Sequence, residues 1–252
     1  MTDEQNIFRN MTFWDHLREL RVRLIKASIF TGFIVLICVC FQNAWVDIVL
    51  KPHFWAMDYL RANGITVKNP NLVALKYTEK VIVYFKIAIY AGLILSAPYI
   101  LCQLWGFISP ALKEKEKNTI VYYACASFGL FLTGVLFGYF FAIPYTLQFL
   151  AGFQVDIIDN FFGFSEYVSL FFLLTIIMGA AFELPLIMLA LSKLGLVSPK
   201  TYSSKRRHAI VIILIVAAVL TPPDPISMIF MAVPMLVLYE IGIILAKIVY
   251  KG

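Results

Sequence analysis

FWDHLRELRVRLIKASIFTGFIVLICVCFQNAWV, Phe13 to Val46, is a charged segment that runs into twenty residues, 27–46, without a single charge. About 20 apolar residues, at a 1.5 Å rise each, cross the hydrocarbon core of a bilayer. This run is too long for the apolar core of a signal peptide and has no small-residue cleavage site, so it is expected to stay uncleaved as a first span. The charged half reads as a helix too: Phe13, Leu17, Leu20 and Leu24 recur at helical spacing and leave Asp15 and Glu19 on the other side. Thr12 with Asp15 three residues on reads as a capping box. Glu19 precedes Arg23 by four residues, the favourable order for a surface ion pair.

The rest of the chain has the same character. Hydrophobic residues make up 61% of the 252 positions and charged residues 14%, and the mean hydropathy is +0.84. That composition describes an all-α, polytopic membrane protein. The net charge of +6 does not argue for nucleic acid, because the basic residues gather in short segments between apolar runs. Cys38, Cys40, Cys102 and Cys125 all fall inside apolar runs and suggest neither a disulfide framework nor a metal site. No cofactor signature is present. Neither a Gly-x-Ser-x-Gly elbow nor a His-Glu-x-x-His motif occurs, and the histidines are His16, His53 and His208, so the pattern points away from an enzyme.

Taken as one membrane domain over residues 1–252, the chain is expected to open with a cytoplasmic amphipathic helix at 1–26. Spans follow at about 27–46, 81–104, 119–142, 167–191, 209–220 and 226–246. Residues 47–80, with Pro52, Asn63-Gly64 and Asn69-Pro70, read as an external loop with short helical pieces. Pro98 is expected to kink the second span, and the third is expected to end before Pro144. Ser-Pro helix starts in GFISPALKEKEK and GLVSPKTYSSKRRH form a weak internal repeat. The fifth span is short: twelve residues reach only about 18 Å, and a rigid Pro222-Pro223-Asp224-Pro225 turn joins it to the sixth. Fifteen of the 21 Lys and Arg residues fall before the first span, in the second and fourth loops, and at the C-terminus. By the positive-inside rule both termini are cytoplasmic.

On this basic rim Glu19 and Glu116 are carboxylates, and carboxylates pair best with the planar guanidinium of arginine. Their spacing alone fits local neutralisation by Arg23 and by neighbouring lysines equally well. Glu183 is the one charge inside the fourth span, with no Lys or Arg nearby and Pro185 two residues on. An unpaired carboxylate there costs at least about 2.5 kcal/mol, so it is expected on an inner, hydrated face, near a bend where Pro185 frees the carbonyl of Ala181.

HLRELRVRL, SAPYILCQLWGFISPALKEKEK, FELPL, VSP and LTPPDP follow one another here in the order seen in the TatC family, and in that respect the chain resembles the receptor subunit of twin-arginine protein translocases. The resemblance implies a concave six-helix bundle in the cytoplasmic (inner) membrane. It implies partners too: twin-arginine signal peptides of folded precursors, single-span subunits of the translocase, lipid, and further copies in an oligomeric complex. By resemblance, Glu19 and Glu116 contact the arginine pair, Phe107 opens the second loop, and Leu20, Arg21 and Arg23 belong to the amino-terminal motif. Pro52 and Pro98 match structural prolines, and Glu183 matches an acid lining the concave face, where with Thr221 it is expected to serve partner docking. Met228 stands where some members carry glutamine. The alternative from a different class is an ion- or proton-coupled transporter using Glu183, Glu240 and Lys86.

Overall fold

The computed structural model describes residues 13–65, 67, 69–108, 120–153, 161–221 and 225–249. Thr12, Glu116, Pro222 and Pro223 lie outside the described residues. The chain is almost wholly helical: α1 Phe13–Cys40, α2 Gln42–Ala62, α3 Glu79–Ile108, α4 Ile120–Phe137, a π-helical turn Gly138–Ala142, α5 Ile143–Gly152, α6 Phe164–Phe182, α7 Leu184–Lys193, α8 Pro199–Ser204, α9 Arg206–Leu220 and α10 Pro225–Val249. Two short strands, β1 Leu72–Val73 and β2 Phe162–Gly163, pair in parallel. Among the described residues, five helical stretches are long and apolar enough to cross a membrane. The fifteen residues of α9 span only about 22 Å.

The charged amino-terminal segment and the first apolar run form one unbroken helix, α1, which packs along α3. Small residues set that approach: a Cβ on Gly92 would sit 2.4 Å from Val35 Cγ2, and Thr31 donates to Ser96 Oγ at 3.0 Å. The helix is arranged inside out relative to a water-soluble one. Leu17 and Leu24 are exposed, as are Ile29, Phe33 and Leu36, whereas Glu19 and Arg23 are half-buried. Leu17 and Leu24 are left to lipid, while Glu19, Leu20 and Arg23 turn toward α3 and Asp15, Arg18 and Arg21 stay exposed.

Three boundaries differ from the sequence expectation. The first long helix ends at Cys40, and residues 42–46 open α2. The expected loop of short pieces is instead a 21-residue helix with Pro52 buried inside it. Proline removes the N–H that Ile48 O would accept, and the Tyr139 hydroxyl donates to that carbonyl at 2.9 Å instead. The third span continues past Pro144 to Gly152: a π turn precedes it, with Ile143 N–H reaching back to Gly138 O, and Pro144 stands in the first turn of α5, where a missing N–H is tolerated. The fourth span is interrupted at Glu183, where a bend was expected, with Pro185 in the first turn of α7.

One core cluster joins α2, α3, α5, α6, α9 and α10, with Ile87, Ile143, Phe172, Met178 and Met231 almost fully buried. At the Glu79 end of α3 this core is closed by polar contacts. Glu79 Oε2 accepts the Leu75 and Lys76 N–H groups at 2.6 and 3.2 Å, and its Oε1 accepts Ser165 N–H at 2.8 Å. Lys86 donates to Ser165 and Ser169 at 3.2 Å each. His53 is fully buried, bonded through Nε2 to Pro70 O at 2.7 Å, and burial pushes its pKa below the usual value despite that bond.

Candidate functional site

At the other end of α3 the side chains are assembled differently. Arg23 donates through Nε and Nη2 to a single oxygen of Glu19, Oε1, at 2.8 and 2.6 Å. Its Nη1 turns to Gln103 Oε1 on α3, 3.4 Å away. The second oxygen, Glu19 Oε2, is buried without a hydrogen-bond partner among the described residues. These side chains are 20% and 27% exposed, so the pair is neither a solvated surface bridge nor fully desolvated. A buried, unpartnered carboxylate oxygen is unfavourable as it stands and favours any donor that can reach it.

One turn earlier on α1, the His16 ring stacks on Phe107 of α3 with centroids 4.2 Å apart and planes at 21°. Both rings line a cavity of about 470 Å³ that is otherwise apolar, with Trp105, Phe131, Ile187 and Leu191 in its wall. Glu183 lines it as well. An aromatic mouth beside a half-buried carboxylate thus leads into an apolar space with a second carboxylate at the α6–α7 break. A space of this shape can take an apolar group, with the Glu183 carboxylate in its wall as an acceptor.

Glu183 is buried, 7% exposed. Its Oε2 accepts from Ser127 of α4 at 2.6 Å, while Oε1 has no partner among the described residues. The side chain caps neither α6 nor α7: Pro185 bends the chain, and the carboxylate reaches across to another helix.

Of the residues singled out from the sequence, Glu19, Arg23 and Phe107 meet at the α1–α3 seam, with Leu20 half-buried and Arg21 exposed beside them. Pro98 lies inside α3. Thr221 is buried at the end of α9, its hydroxyl donating to Ala217 O at 2.9 Å. The three groups of the transporter alternative each have separate partners: Ser127 for Glu183, Arg206 for Glu240 at 2.8 Å, and two serines for Lys86. Sequence reasoning missed Ser127, Gln103 and the stacking role of His16. Ser127 and Gln103 are uncharged polar residues in apolar helices, and only their helical phase relative to another helix marks them.

A family model described as Sec-independent protein translocase protein (TatC) matches residues 15–234. The chain is 34% identical over 239 residues to the Sec-independent protein translocase protein TatC of Desulforapulum autotrophicum, covering 95% of this chain and 85% of that one. It is 38% identical over 237 residues to the protein of that name from Helicobacter pylori strain 26695, with 93% and 87% covered. Among solved structures it is similar to a twin arginine translocase receptor, TatC, with a TM-score of 0.81 at 33% identity over 93% of this chain and 99% of that one.

Proposed function

The chain belongs to the TatC family of Sec-independent protein translocase proteins, and we propose that it is the signal-peptide receptor and core subunit of a twin-arginine translocase that holds the peptide's arginine pair at Glu19 and Glu116. The observation that carries the residue assignment is Glu19 Oε2, a buried acceptor with nothing to accept from. A guanidinium donor suits it best, because its planar fork satisfies a carboxylate at low desolvation cost. The apolar stretch that follows an arginine pair in a signal peptide then has the cavity beyond His16 and Phe107 to enter. Arg23 and Gln103 orient the receptor carboxylate, and Leu20 and Arg21 flank it.

In this reading the chain crosses the cytoplasmic membrane six times with both termini in the cytoplasm, α9 being the shortest crossing, and single-span subunits dock where α9 and α10 leave the bilayer thin. Glu183, turned into the cavity with one oxygen free, accepts a polar group once the cavity is filled, and Thr221 lies near that docking edge. The test is binding of a twin-arginine peptide and its twin-lysine form to detergent-solubilised protein. The wild type distinguishes them, and Glu19→Gln with Glu116→Gln does not. Equal affinity of that double variant and the wild type for the twin-arginine peptide would sink the assignment.

A further inference from the structure

We infer that Gln103 and Gly106 are positioning residues for the receptor carboxylate: together they seat the Arg23 guanidinium so that it clamps one oxygen of Glu19 and leaves the other for an incoming arginine. The inference rests on the reading of Glu19 as the arginine receptor. An arginine facing a carboxylate without other constraint can spread two donors over both oxygens, the fork-to-fork arrangement. Arg23 does not: Nε and Nη2 converge on Oε1.

Two features of α3 account for this. Gln103 Oε1 lies 3.4 Å from Nη1 and draws that corner of the guanidinium away from Glu19. Gly106, one turn on, leaves the space the group occupies: a Cβ there would sit 2.2 Å from Nη1 and 2.9 Å from Cζ. The same residues are therefore a specificity device. With Nη1 held by Gln103, Oε2 stays open; with Nη1 released, Arg23 can rotate onto both oxygens and fill the site with the protein's own guanidinium. A larger side chain at 106 expels the guanidinium instead and leaves Glu19 without the partner that fixes its orientation.

The experiment uses full-length protein in detergent with two readouts. One is hydrogen exchange at the arginine Nε–H groups, followed by ¹⁵N NMR without peptide; the other is affinity for a fluorescent twin-arginine peptide. The expected result is a protected Arg23 Nε–H in the wild type, a shifted or faster-exchanging signal in Gln103→Leu and Gly106→Val, and peptide binding weaker by about tenfold in both. Gln103→Glu, which keeps an acceptor, retains the wild-type Arg23 signal. An unchanged Arg23 signal in both Gln103→Leu and Gly106→Val overturns the inference, and so does tighter peptide binding in either, which would make Arg23 a simple competitor. If the signal moves as expected but Glu19→Gln binds peptide as well as wild type, the receptor reading falls while the seat itself stands.

Discussion

At its first residue α3 carries Glu79, whose two oxygens accept three backbone N–H groups. At its far end α3 packs beside Glu19, which has two Arg23 donors on one oxygen and, among the described residues, none on the other. Glu183, in the cavity wall, repeats the second pattern with Ser127. A carboxylate that already accepts three backbone N–H groups ties the turn after β1 and the start of α6 to α3, and leaves neither oxygen unpartnered. A carboxylate with one oxygen unpartnered is less favourable in the empty protein and available to a second molecule. The contrast separates stability from binding, and substitutions at each site should affect different measurements.

The largest effect on folding is expected at Glu79. Glu79→Ala removes the acceptor for three N–H groups at once and should lower the melting temperature by more than about 5 °C. Peptide affinity per folded molecule should be unchanged. A stable Glu79→Ala protein would remove one side of the contrast. Tyr139→Phe comes next, because it leaves the Ile48 carbonyl freed by Pro52 without its donor; a loss of roughly 1 kcal/mol is expected in denaturant unfolding. If Tyr139→Phe costs nothing, water satisfies that carbonyl and Pro52 needs no partner.

Glu183→Gln should barely alter stability, since it keeps the side chain's size and an acceptor for Ser127. Transport in reconstituted vesicles should nevertheless fall, with signal-peptide binding retained. Normal transport would show that the free oxygen in the cavity has no role. The smallest effect concerns pH. His53 is neutral in the fold because burial lowers its pKa, whereas in the unfolded chain it protonates near its ordinary value of about 6.5. Its contribution is thus intact above that pH and lost progressively as pH falls below it, by at most about 1.4 kcal/mol per unit. Melting curves between pH 7 and 5 should slope less in His53→Gln than in the wild type; equal slopes would show that His53 takes up its proton in the folded state.

Hydropathy was enough for the class of fold, since uncharged runs of about twenty residues have few other uses. It misplaced helix ends at Pro52 and Pro144, though not at Pro98 or Pro234, which stand inside α3 and α10. Pro52 and Pro144 look like terminators in sequence, yet Tyr139 gives the Ile48 carbonyl a donor from another part of the chain, and Pro144 falls in the first turn of α5 just after a π turn. The amphipathic pattern of Phe13 to Lys26 was visible, but not which face meets protein: in water the apolar stripe would pack inward, and here the bilayer takes it. Glu19, Arg23 and Phe107 were legible through the order of the family's motifs. Gln103, Ser127 and Gly106 were not, because each matters only through a side chain on another helix.

The central claim is that the open oxygen of Glu19 receives a peptide guanidinium, and a double-mutant cycle tests it directly. Affinities of wild type and Glu19→Gln are measured for the twin-arginine peptide and for a peptide with one arginine replaced by glutamine. A direct pair predicts a coupling energy above about 1.5 kcal/mol for one of the two arginines, diminishing as salt rises. Coupling indistinguishable from zero at both arginines would contradict the account.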